Sequence, residues 1–181
     1  MRWNPHALIS PPFGDQDFTP TRYHSTADKA WFANNLCRFI ASDFAQKLWT
    51  RRLYETLRNT CGHIAHYNKD GFWDTFFTST AQKIAFLEQT IQHPCYGQPD
   101  YTFCDVERKV KSRIRLSEVL AGFKARLAAE TEQTERALLA RLREKYDGLP
   151  PATPADLASF QPIPASTSRR TAGAPGQASL F

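Results

Sequence analysis

Phe32, Leu36, Ile40, Phe44 and Leu48 recur at intervals of four residues, with Trp31 and Phe39 widening the stripe. An α-helix brings every third or fourth residue back to the same side, whereas a strand alternates faces every two residues. The recurrence therefore predicts a helix with one broad buried face. Ser25-Thr26-Ala27-Asp28 precedes it and supplies a capping hydroxyl and an acid for the first turn, so the helix is expected to begin there. Leu53, Leu57, Ile64 and Tyr67 predict a continuation or a second helix, with Gly62 as a weak point.

Further along, Asn68-Lys69-Asp70-Gly71 reads as a turn, and Phe72, Trp73, Phe76 and Phe77 as a short helix plugged into the core. Ser79-Thr80-Ala81-Gln82 has the form of a capping box, followed by Ile84, Leu87 and Ile91 at helical spacing with Phe86 beside them. His93-Pro94 should end that helix, and residues 94–101 read as a loop. Thr102-Phe103-Cys104-Asp105 opens the next helix, lined by Val106, Val110 and Ile114. Leu116, Leu120, Phe123, Leu127, Leu138, Leu142 and Tyr146 mark a stripe on a long helix, with Gly122 as a place for a kink. Such a stripe needs a partner helix, within the chain or in a second copy as a homodimer.

Proline sets the boundaries. Pro5, Pro11, Pro12 and Pro20 make residues 1–24 an irregular arm whose aromatic residues lie on the domain. Residues 25–148 form the helical domain, which Asp147-Gly148 and Pro150-Pro151 terminate. Residues 149–176 hold six prolines among Ser, Thr, Ala and Gly and are expected to be a disordered tether. The expected fold class is all-α: a helical bundle with a long C-terminal helix, a Pro-rich N-terminal arm and a disordered C-terminal tail.

Composition excludes other classes. Hydrophobic residues make up 41% of the chain and aromatic residues 13%, too much for wholesale disorder. No apolar run approaches the roughly 20 residues of a membrane span, and Met1–His6 lacks the form of a secretory signal. Cys37, Cys61, Cys95 and Cys104 form no CxxC pair and are expected to be reduced in a cytoplasmic protein.

Four constellations bear on function. Arg108, Lys109, Lys111, Arg113 and Arg115 stand against only Asp105 and Glu107, a basic cluster that suits nucleic acid as well as a solvated helix face. Cys61, His63, His66, His93 and Cys95, with Cys104, have the donor chemistry of a zinc site, but their spacings match no zinc pattern and no cofactor is expected. The aromatic segment His66–Asp74 offers rings for stacking, or simply a helical corner with an apolar plug. No phosphate loop, GxGxxG or GxSxG is present, so an enzyme is the lesser expectation, a zinc-dependent one at most.

The last constellation is Gln177-Ala178-Ser179-Leu180-Phe181. Two large apolar side chains after a polar tether have no core to join, and burying them in a receptor would contribute roughly 1.5–3 kcal/mol each. The pentapeptide resembles the motif Gln-Leu-Ser/Asp-Leu-Phe, by which bacterial replication and repair proteins dock into the DNA polymerase sliding clamp. The resemblance implies that Gln177 is a polar anchor, Ser179 a small polar spacer, and Leu180 and Phe181 the pocket-filling pair. Ala178 departs from the usual Leu. On that resemblance the chain is expected to be an accessory protein of bacterial, plasmid or phage DNA replication or repair. A helical dimerising DNA-binding regulator, or a defence antagonist of a mobile element, is the alternative.

Overall fold

The computed structural model describes residues 4–60, 67–89 and 103–147. Among them lie seven α-helices, two 3-10 turns and no strand. The helices are α1 (Pro5–Ile9), α2 (Thr26–Ala41), α3 (Arg51–Thr60), α4 (Lys69–Phe76), α5 (Thr80–Glu88), α6 (Cys104–Leu116) and α7 (Val119–Tyr146). The chain divides into two compact units, Met1–Leu138 and Leu139–Phe181. Of the second, the described residues are the last turns of α7 and Asp147. The expected tether, residues 149–176, lies outside the described residues.

Two caps form as their sequences predict. Ser25 Oγ accepts the Asp28 amide while the Asp28 carboxylate accepts the Ser25 amide, and Ser79 and Gln82 repeat the exchange at α5. The arm is less irregular than its prolines suggest. Pro5 stands at the start of α1, where its missing N–H costs nothing, and Asn4 caps the turn from His6 N at 3.0 Å. Asn68-Lys69-Asp70-Gly71 is not a separate turn but the entry to α4, because Asn68 Oδ1 accepts the Gly71 amide at 2.7 Å and so caps a helix.

The period-four stripe overruns its helix. α2 stops at Ala41, and Asp43 and Phe44 then take left-handed φ angles of 60° and 58°. That reversal drops Phe44 into the core and leaves Leu48 half-buried in a 3-10 turn, Gln46–Leu48. Non-glycine residues resist such angles by roughly 1–2 kcal/mol each, so the turn needs anchors. Asp43 supplies them. Its carboxylate accepts two bonds of 2.8 Å from Arg126 and one of 2.9 Å from Lys83, and Lys83 Nζ also reaches the Asp43 carbonyl at 3.2 Å.

Phe44 enters a nearly continuous set of ring contacts. It stacks on Phe77 with centroids 4.9 Å apart and meets Phe39, Phe86 and Phe123 edge-on or tilted. Trp49 extends the cluster to Phe72 and donates its indole N–H to the Lys69 carbonyl at 2.8 Å. Tyr54 hydroxyl donates to the Tyr67 carbonyl, tying α3 to the entry of α4. The aromatic segment around Phe72 and Trp73 is therefore core: Phe72 is fully buried and Trp73 is packed against it.

α6 and α7 are separate helices. Glu118, at φ 55°, breaks the path between them. Leu116 faces water at 72% exposure, and fully buried Val119, absent from the predicted stripe, takes the inward place. Phe103 rather than Thr102 precedes α6, without a side-chain cap. Gly122 sits inside the continuous α7, whose residues from Ala128 onward are all exposed.

Candidate functional site

α6 carries the whole cluster from Arg108 to Arg115, and its 3.6-residue repeat deals those cations to different sides. Val106, Val110 and Ile114 take the buried face. Lys109 and Arg113 share one flank. Lys109 Nζ lies 2.7 Å from Asp17 Oδ1 and 5.7 Å from the Phe18 ring centroid. Arg113 covers the Phe13 ring at 3.5 Å and donates to the Leu8 carbonyl at 3.4 Å and to the Pro11 carbonyl. Asn34 clasps the same arm, its amide bonding both the N–H and the carbonyl of Phe13 at 2.8 and 2.9 Å.

These two cations hold the N-terminal arm on the helix. The Lys109 hydrogen bond, with the Gly14 amide, keeps the Asp17 carboxyl below the usual carboxylate range. On the same side Lys29, 2% exposed, places Nζ 2.9 and 3.0 Å from the two Asp105 oxygens, and Asp105 also accepts the Thr19 and Val106 amides. Burial works against ionisation at Asp105, but the Lys29 hydrogen bonds and the two amides outweigh it and hold its carboxyl low.

Arg108, Lys111 and Arg115 take the other flank and line a groove of about 730 Å³ with Ser112. α7 contributes Leu120, Ala121 and Lys124, the connection contributes Glu118, and α5 contributes Leu87. Buried Leu87 and Ile114 and half-buried Leu120 form an aliphatic floor, exposed Ala121 lies at its edge, and the four more exposed cations form the rim. Lys111 pairs with Glu107 one turn back, and Lys124 lies 2.6 Å from Glu88. Among the described residues Arg108 and Arg115 have no ion pair. Such a space is within the size range of ligand pockets, with convergent charge above an apolar base.

No family profile, no curated protein and no solved structure matches the chain. The site therefore rests on its own chemistry. Of the five cations predicted from sequence, three converge on the groove and two serve the fold. Lys124 and Leu87 were not legible as members, because they arrive from other helices. A helical projection of residues 108–115 separates Lys109 and Arg113 from the rest, and that was the available signal.

The zinc candidates Cys61, His63, His66, His93 and Cys95 lie outside the described residues, as do Gln177–Phe181. Among the described residues no group of three or more His, Cys, Asp or Glu side chains is placed to hold a metal. Cys104 is exposed on the first turn of α6, and Cys37 is buried. Burial pushes the Cys37 thiol up to about 12, against the opposing field of Arg113, so it stays protonated and unreactive at neutral pH. No helix among the described residues is long and apolar enough to cross a membrane.

Proposed function

We propose that the chain is an accessory protein of bacterial, plasmid or phage DNA replication or repair, recruited to the DNA polymerase sliding clamp through Gln177–Phe181. The observation that carries this reading is the pentapeptide Gln-Ala-Ser-Leu-Phe. A glutamine, a small polar spacer and an apolar pair give a register and two pocket anchors. The groove between α6 and α7 suits the helical domain to a second partner. Joining two modest binding sites in one chain makes the second engagement intramolecular and raises its effective concentration.

Capture on immobilised bacterial sliding clamp tests the recruitment. Deletion of residues 177–181, or Leu180→Ala with Phe181→Ala, should weaken capture about a hundredfold or more, as expected for losing two buried apolar anchors. Undiminished capture by the truncated chain would overturn it.

A second reading has its own observation. Leu138, Leu139, Leu142 and Tyr146 stand 44–54% exposed on α7. An exposed apolar cluster on a helix suits self-association, as in a dimerising DNA-binding regulator or defence antagonist. That reading expects a concentration-dependent dimer in sedimentation and salt-sensitive DNA binding that survives loss of residues 177–181.

A further inference from the structure

The groove between α6 and α7 has a floor and a rim of opposite character. We propose that it binds a short acidic segment of a partner protein. One or two apolar side chains of that segment rest on Leu87, Ile114, Leu120 and Ala121, and its carboxylates meet Arg108 and Arg115. The inference rests on the reading of the helical domain as the module that takes a second partner.

Charge argues first. Among the described residues the rim holds Arg108, Lys111, Arg115 and Lys124 against a single lining acid, Glu118. Lys111 and Lys124 are engaged by their own carboxylates in partly exposed pairs, which exchange at little cost. The arginines have no such partner among the described residues, and a guanidinium fork matches a carboxylate bidentately. They stand seven residues apart on α6, roughly 10 Å along its axis at the usual helical rise. Acids two helical turns apart in a bound helix, or three residues apart in an extended segment, meet that interval.

The floor decides between occupants. It is aliphatic, and among the described residues no aromatic ring lines the groove, so nucleic-acid bases find no surface there to stack on. Glu118, with Glu107 and Glu88 beside the rim lysines, would repel a continuous row of phosphates. A peptide places its acids only where the arginines stand and fills the space between with a Leu, Ile or Met side chain. Each such side chain gains from burial what a phosphate backbone cannot.

Fluorescence anisotropy on the full chain tests the assignment. The probes are a labelled twelve-residue peptide with Leu and Glu at helical spacing, the same peptide with every Leu changed to Ala, a twelve-nucleotide single strand and a twelve-base-pair duplex. The Leu/Glu peptide should bind best, and its Ala counterpart at least tenfold more weakly. Arg108→Glu with Arg115→Glu should weaken the Leu/Glu peptide at least tenfold, and the milder Arg108→Gln with Arg115→Gln severalfold. Both arginines are exposed, and thermal melts should be unchanged. Arg113→Gln, on the opposite flank, should keep full affinity. Absence of peptide binding, indifference to the Arg108 and Arg115 changes, or tighter binding of either oligonucleotide lost in the same variants would overturn the proposal. Clamp capture is measured on the same proteins: the groove variants should retain it. Its absence in the unaltered chain would overturn the recruitment while leaving the anisotropy result standing.

Discussion

At the scale of single residues, Asp43 has two duties that substitution can separate. Its φ of 60° favours glycine or asparagine, while its carboxylate joins Lys83 on α5 and Arg126 on α7. Burial raises the carboxyl's affinity for protons, but the hydrogen bonds and charges of Arg126 and Lys83 outweigh it, and the group stays ionised below the usual range. Asp43→Ala removes the ion pairs and leaves a Cβ in a left-handed turn. Asp43→Gly removes the pairs but relaxes the backbone. Asp43→Asn keeps an acceptor and tolerates the angle. Denaturant melts should therefore rank the proteins wild type, then Asn and Gly, then Ala, with Gly about 1 kcal/mol more stable than Ala. A glycine variant less stable than the alanine one would show that the left-handed angle carries no cost here.

At the scale of helices, the caps and buried faces were readable because they are local. Ser25 with Asp28 and Ser79 with Gln82 lie three residues apart, and Val106, Val110 and Ile114 repeat within one helix. What escaped reading was fixed from afar. The stripe Phe32 to Leu48 keeps its period through position 44, yet the helix ends at Ala41, because the reversal that follows is anchored by residues 40 and 83 positions away. Asn68 through Gly71 fits a turn or a cap equally well, since the Asn68–Gly71 hydrogen bond belongs to both; the helix after it decides. The basic cluster is contiguous in sequence and divided in space, for Lys109 meets the arm 92 residues earlier and Arg113 meets it 102 and 105 residues earlier. That division is testable. Arg113→Gln should free the arm, raise its cleavage rate by a broad-specificity protease between residues 10 and 24, and cost about 1–2 kcal/mol of stability. Arg108→Gln should do neither. Equal protease sensitivity in the two variants would mean that Arg113 is no tether.

Across the helical domain, the long-range ties among the described residues depend heavily on carboxylates. Asp17 with Lys109 and Asp105 with Lys29 bind the arm and α2 to α6, and Asp43 joins the end of α2 to α5 and α7. All three acids are held below their ordinary range, as is Asp28, where the Ser25 hydroxyl and amide are the main cause. A carboxyl that is more acidic when folded takes its proton first in the unfolded chain. Its contribution is therefore complete above the unfolded value, near about 3.9, and is lost as pH falls from there through the lower folded value. The thermal midpoint should be nearly flat between about pH 5 and 8 and fall steeply below about pH 4. Asp105 offers the control. Asp105→Asn leaves the Lys29 ammonium, 2% exposed, without its anionic partner, at a cost of about 3 kcal/mol at neutral pH. In acid the wild type loses the same pair by protonation, so the stability gap between the two proteins should shrink as pH drops below about 4. A gap independent of pH across that window would show that the charge on Asp105 contributes nothing to holding the arm, α2 and α6 together.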